Sequence, residues 1–299
     1  MIVVLPKELM KTSALVSCEW LQKNLDTENQ VILDATFFLP RQQRNAKKEY
    51  QQQHLPGAHF FDIDEIADLS TTLSHMLPKA DYFSTAVGKT GISNNTRVLI
   101  YDNNHFFAAA RVWWMFRVFG HHRVHIIDGG QTRWKQLKYP MSSEQPTSIT
   151  KNFKAQYCSG LVFNLKQMKV VLTSKSRQII DARSTDSFLG QRKLAEATLQ
   201  PGHIPGSINI PYAHLMDDTQ KTLFSDKTLQ SLFKHADINL SNPIVTTCGS
   251  GVSAAVLALA LYQIGCKDIP VYDGSWAEWG RQVDTPKHTK NCMKDNKCF

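Results

Sequence analysis

The chain has 299 residues, 42% of them hydrophobic and 20% charged, which is the balance of a soluble globular protein with length for two domains. Its formal charge of +8 comes from 34 basic against 26 acidic residues, a modest field that attracts small anions. The longest apolar stretch, Val252 to Cys266, is interrupted by Ser253, Gln263 and Gly265 and is too short to span a bilayer. Ile2 to Leu5 is likewise too short for the apolar core of a secretory leader.

The cysteines, Cys18, Cys158, Cys248, Cys266, Cys292 and Cys298, show no CxxC or zinc-ligand spacing, so neither a metal site nor a disulfide framework is expected. A reducing compartment fits, the cytoplasm or an organelle matrix.

In chain order, Val31 to Ala35 reads as a buried strand ending in Asp34. His54-Leu55-Pro56-Gly57 then marks a turn with an apolar strand behind it. Arg97 to Tyr101 is a second β-rich run, followed by Asp102 and a helix that ends at Phe119-Gly120. Val124 to Gly130 comes next, with Trp134 beyond it. The same landmarks return 145 to 149 residues later: Gln178 to Ala182, His203-Ile204-Pro205-Gly206, Ile244 to Thr247, a helix ending at Ile264-Gly265, Ile269 to Ser275, and Trp279. A repeat of this length means two copies of one α/β domain, with strands alternating with helices. The expected domains are 12–140 and 161–281, joined by a connector over 141–160 that contains Ser142-Ser143-Glu144-Gln145-Pro146-Thr147-Ser148. Residues 282–299 form a basic tail carrying Cys292 and Cys298. It reads as a solvated terminus rather than a nucleic-acid arm.

The copies differ where chemistry is expected. In the second copy the β-branched strand Ile244 to Thr247 runs into Cys248-Gly249-Ser250-Gly251-Val252-Ser253, and an Ala- and Leu-rich helix follows. The two glycines let backbone pack around the sulfur. A strand–loop–helix turn aims N–H groups and the positive end of a helix dipole at its centre, which favours a sulfur anion and hence a nucleophile. Parallel sheets place their sites at this carboxyl end of the strand. A cysteine phosphatase needs an arginine six residues after the nucleophile, and Ala254 stands there. In the first copy Asp102 replaces the cysteine, so that copy is expected to support the second without forming a covalent sulfur intermediate.

On these residues the chain resembles the two-domain rhodanese superfamily, and Cys248-Gly249-Ser250-Gly251-Val252 is similar to the loop of mercaptopyruvate sulfurtransferases. Phe60 to Asp64, His75-Met76-Leu77-Pro78, Arg111 to Gly120, Pro201 to Gly206 and Asp273-Gly274-Ser275-Trp276 match in the same order. The resemblance implies two tandem α/β domains, each a parallel sheet flanked by helices. It also implies sulfur transfer through a Cys248 persulfide without a cofactor, nucleic acid or membrane. The donor would be 3-mercaptopyruvate or thiosulfate, and the acceptor a thiol such as thioredoxin, or cyanide. It further implies a proton relay of Ser250, His75 and Asp64. Thiosulfate-using relatives carry Arg and Lys directly after the cysteine, where this chain has Gly249 and Ser250. Losing two cations close to a dianion, at roughly 1–4 kcal/mol each, favours mercaptopyruvate. Against that, the family's two substrate arginines fall on Ser187 and Glu196. Arg192, Arg183 and Arg111 are the candidate replacements. Ala255 stands where relatives have a further cysteine. The missing arginines also suit a different class, a sulfur-carrying or regulatory module with little turnover.

Overall fold

The computed structural model describes residues 13–192 and 198–289. Two compact units emerge. Among the described residues, the first contains 13–66, Pro78–Tyr157 and Asp217–Leu223; the second contains Ala67–Leu77, 158–192, 198–216 and 224–289. Each unit therefore incorporates a short segment that lies, in sequence, within the other copy. Sequence periodicity gave no indication of this exchange.

In the first unit β1 (Leu15–Ser17), β2 (Gln30–Asp34), β3 (Ala58–Phe60), β4 (Arg97–Tyr101) and β5 (Val124–Asp128) form a parallel sheet in the order β1-β5-β4-β2-β3. In the second, β6 (Val162–Phe163), β7 (Gln178–Asp181), β8 (Ile208–Asn209), β9 (Ile244–Thr247) and β10 (Val271–Tyr272) repeat it as β6-β10-β9-β7-β8. In both sheets the strand before the decisive loop, β4 or β9, is third in order and paired on both sides. Its residues after Arg97 in β4, and all of those in β9, are accordingly apolar or β-branched.

The helix after that strand is α4 (Ala109–Val118) in the first unit and α9 (Ala254–Gln263) in the second. Every residue of α4 is buried, as is every residue of α9 from Ala254 to Leu261. This burial is what anchors the loops between strand and helix. Trp134 and Trp279 fill equivalent core positions, and their indole N–H groups donate to the Pro140 and Pro286 carbonyls. The duplication thus extends to single hydrogen bonds.

Candidate active site

Cys248 follows the last residue of β9 and is 1% exposed. The two glycines that follow it play different parts. Gly251 has φ +74°, a left-handed value that a side chain resists. Gly249 is different: a Cβ there would meet nothing within 4 Å. Its missing side chain therefore leaves open space beside the nucleophile rather than relieving a clash, which corrects the expectation from sequence that both glycines serve tight folding.

A second turn, Asp273 to Trp276, braces the loop. Trp276 N–H donates to the Cys248 carbonyl at 2.9 Å and Ala277 N–H to the Gly249 carbonyl at 2.8 Å. The Ser275 hydroxyl accepts the Cys248 N–H at 3.1 Å, donates to the Tyr272 carbonyl at 2.7 Å, and lies 4.0 Å from Cys248 Sγ. Ser275 is fully buried and holds φ +48°, a conformation that costs an L-residue about 1–2 kcal/mol. The strain persists because the hydroxyl is locked on both sides.

The first unit shows what this turn is built to hold. Asp102 follows β4 as Cys248 follows β9. Its Oδ1 accepts N–H groups from Asn104 (3.1 Å) and Phe106 (3.0 Å), and its Oδ2 those of Ala108 (3.0 Å) and Ala109 (2.9 Å). Burial pushes the Asp102 carboxyl above the usual range, and these four donors act against that push. The loop is one residue longer than its counterpart, with His105 and Phe106 both at positive φ. Gly130 takes the place of Ser275 at φ +52°, and a Cβ there would run into the Asp102 carbonyl. The strand–loop–helix turn is thus an anion cradle, occupied in the first unit by the chain's own carboxylate.

The other expected site residues divide. Ser250 is half-buried on the Cys248 loop. His75 is half-buried at φ +63° in the segment that packs with the second unit, so the structure places His75, Ser250 and Cys248 in one unit. Asp64 is exposed in the first unit, at an Asx turn in which its N–H donates to Asp62 Oδ1 at 2.9 Å.

Of the candidate substrate arginines, Arg183 is engaged in a two-pronged ion pair with buried Asp181, its Nη2 2.6 Å from Oδ2. It also donates to the Gly202 carbonyl and stacks 4.5 Å above the Trp276 ring. Arg111 is buried in α4 of the first unit, 4.4 Å over the Trp114 ring. Arg192 is exposed. Ser187 accepts a hydrogen bond from Ser184 at 3.0 Å. Glu196, Cys292 and Cys298 lie outside the described residues. Among the described residues no group of three or more His, Cys, Asp or Glu side chains is placed to hold a metal. No helix among them is long and apolar enough to cross a membrane.

Sequence reasoning gave Ser275 and Asp273 no role. Their signal was present in the repeat, because Asp273-Gly274-Ser275 aligns with Asp128-Gly129-Gly130 beside Asp102.

A duplicated parallel α/β fold with a cysteine in one copy where the other copy has a carboxylate held by four N–H groups defines a class of cysteine-centred tandem-domain proteins. The chain belongs to the rhodanese family: the model for the rhodanese-like domain matches residues 17–137 and 164–282. Human 3-mercaptopyruvate sulfurtransferase is 39% identical over 273 residues, covering 89% of this chain and 91% of its own. Rat thiosulfate sulfurtransferase is 40% identical over 279 residues, covering 90% and 93%. The crystal structure of SseA from Escherichia coli, a 3-mercaptopyruvate sulfurtransferase, superposes with a TM-score of 0.79 at 33% identity, covering 89% of this chain and 99% of that one. Relatives named for either donor are equally similar, so overall identity does not discriminate between donors.

Proposed function

We propose that this chain is a sulfurtransferase that carries sulfane sulfur on Cys248, with 3-mercaptopyruvate as donor. The Cys248 thiolate attacks the donor's sulfur and forms an S–S bond. The C–S bond breaks, and its electron pair passes to the departing carbon as the enolate of pyruvate. That carbanion takes a proton, and the Ser250–His75–Asp64 relay supplies it in this reading. The persulfide anion left on Cys248 rests in the amide cradle. An acceptor thiolate then attacks the outer sulfur and releases the Cys248 thiolate. Thioredoxin is the protein acceptor we propose, and cyanide a small one that leaves as thiocyanate. No cofactor is needed, since each step moves an electron pair between sulfur, carbon and the acceptor. The chemistry requires reduced thiols, and we assign the chain to a reducing compartment, the cytoplasm first.

The observation that carries this reading is the occupied cradle of the first unit. A turn of the same construction, with cysteine in place of aspartate, is suited to a sulfur anion. Donor choice rests on Gly249 and Ser250. Neither gives the two cations that would hold a thiosulfate dianion, and thiosulfate is therefore the second donor. One observation favours a carrier or regulatory module of low turnover: the ion pair of Arg183 with Asp181 takes up a nearby cation that would otherwise clamp the donor carboxylate.

Two measurements separate the readings. Steady-state pyruvate release from 3-mercaptopyruvate with a thiol acceptor should be robust and should exceed turnover of thiosulfate. Mass spectrometry after donor exposure should find one added sulfur on Cys248, absent in Cys248→Ser. An added sulfur without sustained pyruvate release would establish the carrier instead. No added sulfur from either donor would overturn both.

A further inference from the structure

The segments exchanged between the copies are themselves duplicates. In the second unit, Asp68 N–H donates to the Met76 carbonyl at 2.9 Å, and Asp68 Oδ1 accepts the Ser70 N–H at 3.0 Å. His75 then turns left-handed at φ +63°, and Leu77 N–H donates to Asp273 Oδ2 at 2.9 Å. In the first unit, Asp217 N–H donates to the Thr222 carbonyl at 2.9 Å, and Asp217 Oδ1 accepts the Thr219 N–H at 2.8 Å. Lys221 turns left-handed at φ +60°, and Leu223 N–H donates to Asp128 Oδ1 at 2.9 Å. His75 and Lys221 are 146 residues apart, as are Leu77 and Leu223. The first unit also shows where such a turn delivers its side chain: Lys221 lines one small cavity with Asp102, Gly129 and Gly130. The counterparts of those residues are His75, Cys248, Gly274 and Ser275.

We propose that Asp273 is a positioning residue for His75, fastening the imidazole-bearing turn to the same Asp273–Trp276 brace that holds the Cys248 backbone. The inference rests on the sulfurtransferase reading for its kinetic consequences only. A carboxylate suits the task because an ionised acceptor makes the stronger bond to a backbone N–H. Asp273 is 4% exposed and stands two residues before Ser275, so one short turn sets both the nucleophile and the group that is to move a proton near it. Displacing a catalytic group by about 1 Å costs up to about 100-fold in rate, which is the scale of effect this bond controls.

The test is a double-mutant cycle with two readouts. Asp273→Ala should lower kcat for pyruvate release about 10- to 100-fold with little change in KM. The same substitution in a His75→Ala background should cost almost nothing further, because the route through the imidazole is already gone. Asp273→Asn should restore most of the rate, since its carboxamide oxygen accepts the same N–H. Asp128→Ala breaks the equivalent bond in the first unit and should leave kcat unchanged. Independently of turnover, Asp273→Ala should speed amide hydrogen exchange at Leu77 and shift the imidazole resonances of His75 in NMR, and Asp128→Ala should do neither. Asp273→Leu, of similar volume without the acceptor, serves where the alanine variant fails to fold. Equal losses in the His75 and His75→Ala backgrounds, or unmoved Leu77 exchange and His75 resonances, would overturn the proposal. Absence of pyruvate release by the parent would instead refute the sulfurtransferase reading, and the exchange and NMR measurements would still decide the role of Asp273.

Discussion

At Asp102 one carboxylate satisfies four backbone donors that would otherwise converge on empty space. The cysteine of the second unit cannot do the same, having a single sulfur where the aspartate presents two oxygens. Under the proposed chemistry a persulfide on Cys248 would supply the second acceptor atom that the aspartate already has. Removal of the carboxylate should be costly for the opposite reason. Asp102→Ala strands several buried N–H groups, each worth about 1–3 kcal/mol when unpaired, with water recovering part. A loss of about 2–4 kcal/mol in urea unfolding is expected, with sulfur loading on Cys248 intact in the folded fraction. Asp102→Asn, which keeps one acceptor oxygen, should lose less. A loss below about 1 kcal/mol for the alanine variant would mean that the four donors are not held by the carboxylate alone.

Helix α9 is apolar on every side, and the structure encloses it from Ala254 to Leu261. Truncating Leu257, which is fully buried, should cost about 2–5 kcal/mol through lost transfer energy and the cavity left behind, read as a lower urea midpoint at unchanged m-value. A cost near zero would mean that the helix is not packed as described. Elements of this kind were legible in the sequence. The strand Ile244 to Thr247 is β-branched and bounded by Asn242-Pro243 and Cys248-Gly249, and the helix behind it ends where Gly265 takes φ +105°. Local composition decides such elements. The exchanged segments were not legible for the converse reason: Ala67–Leu77 has no periodicity, and the acceptor of the Leu77 N–H lies 196 residues away. Arg111 was one of three candidate replacements for the family's missing substrate arginines. In α4 its long side chain is instead buried against Trp114. The ion pair of Arg183 with Asp181 depends on the carboxylate's orientation in space, which the sequence does not carry.

The repeat shapes the molecule's response to pH as well as its topology, since the first unit concentrates buried ionisable groups of both signs. Burial raises the carboxyl of Asp34, at the carboxyl end of β2, to about 6. A carboxyl raised in the folded state contributes stability that is full below its unfolded value, near 3.9, and is lost as pH rises through about 6. His121 is enclosed by the Phe116 and Phe153 rings, and burial lowers its imidazole to about 4. An imidazole lowered in the folded state acts in the opposite sense: its unfolded form takes up a proton from about pH 6.5 downward, so stability falls as pH drops towards 4. Each shift corresponds to at most about 3 kcal/mol, and both groups are no more than 2% exposed, so solvent screening does not erase either. Between pH 6.5 and 4 the two contributions nearly cancel. Single substitutions should therefore reveal each in turn. Relative to the parent, Asp34→Asn should lose stability more steeply on acidification, because the histidine penalty is left unopposed. His121→Gln should lose it less steeply, or gain. Urea midpoints measured across this window give the difference profiles directly. If the two variants track the parent in parallel, neither side chain titrates differently in the folded and unfolded chain, and the burial that defines the first unit's core around them is not as described.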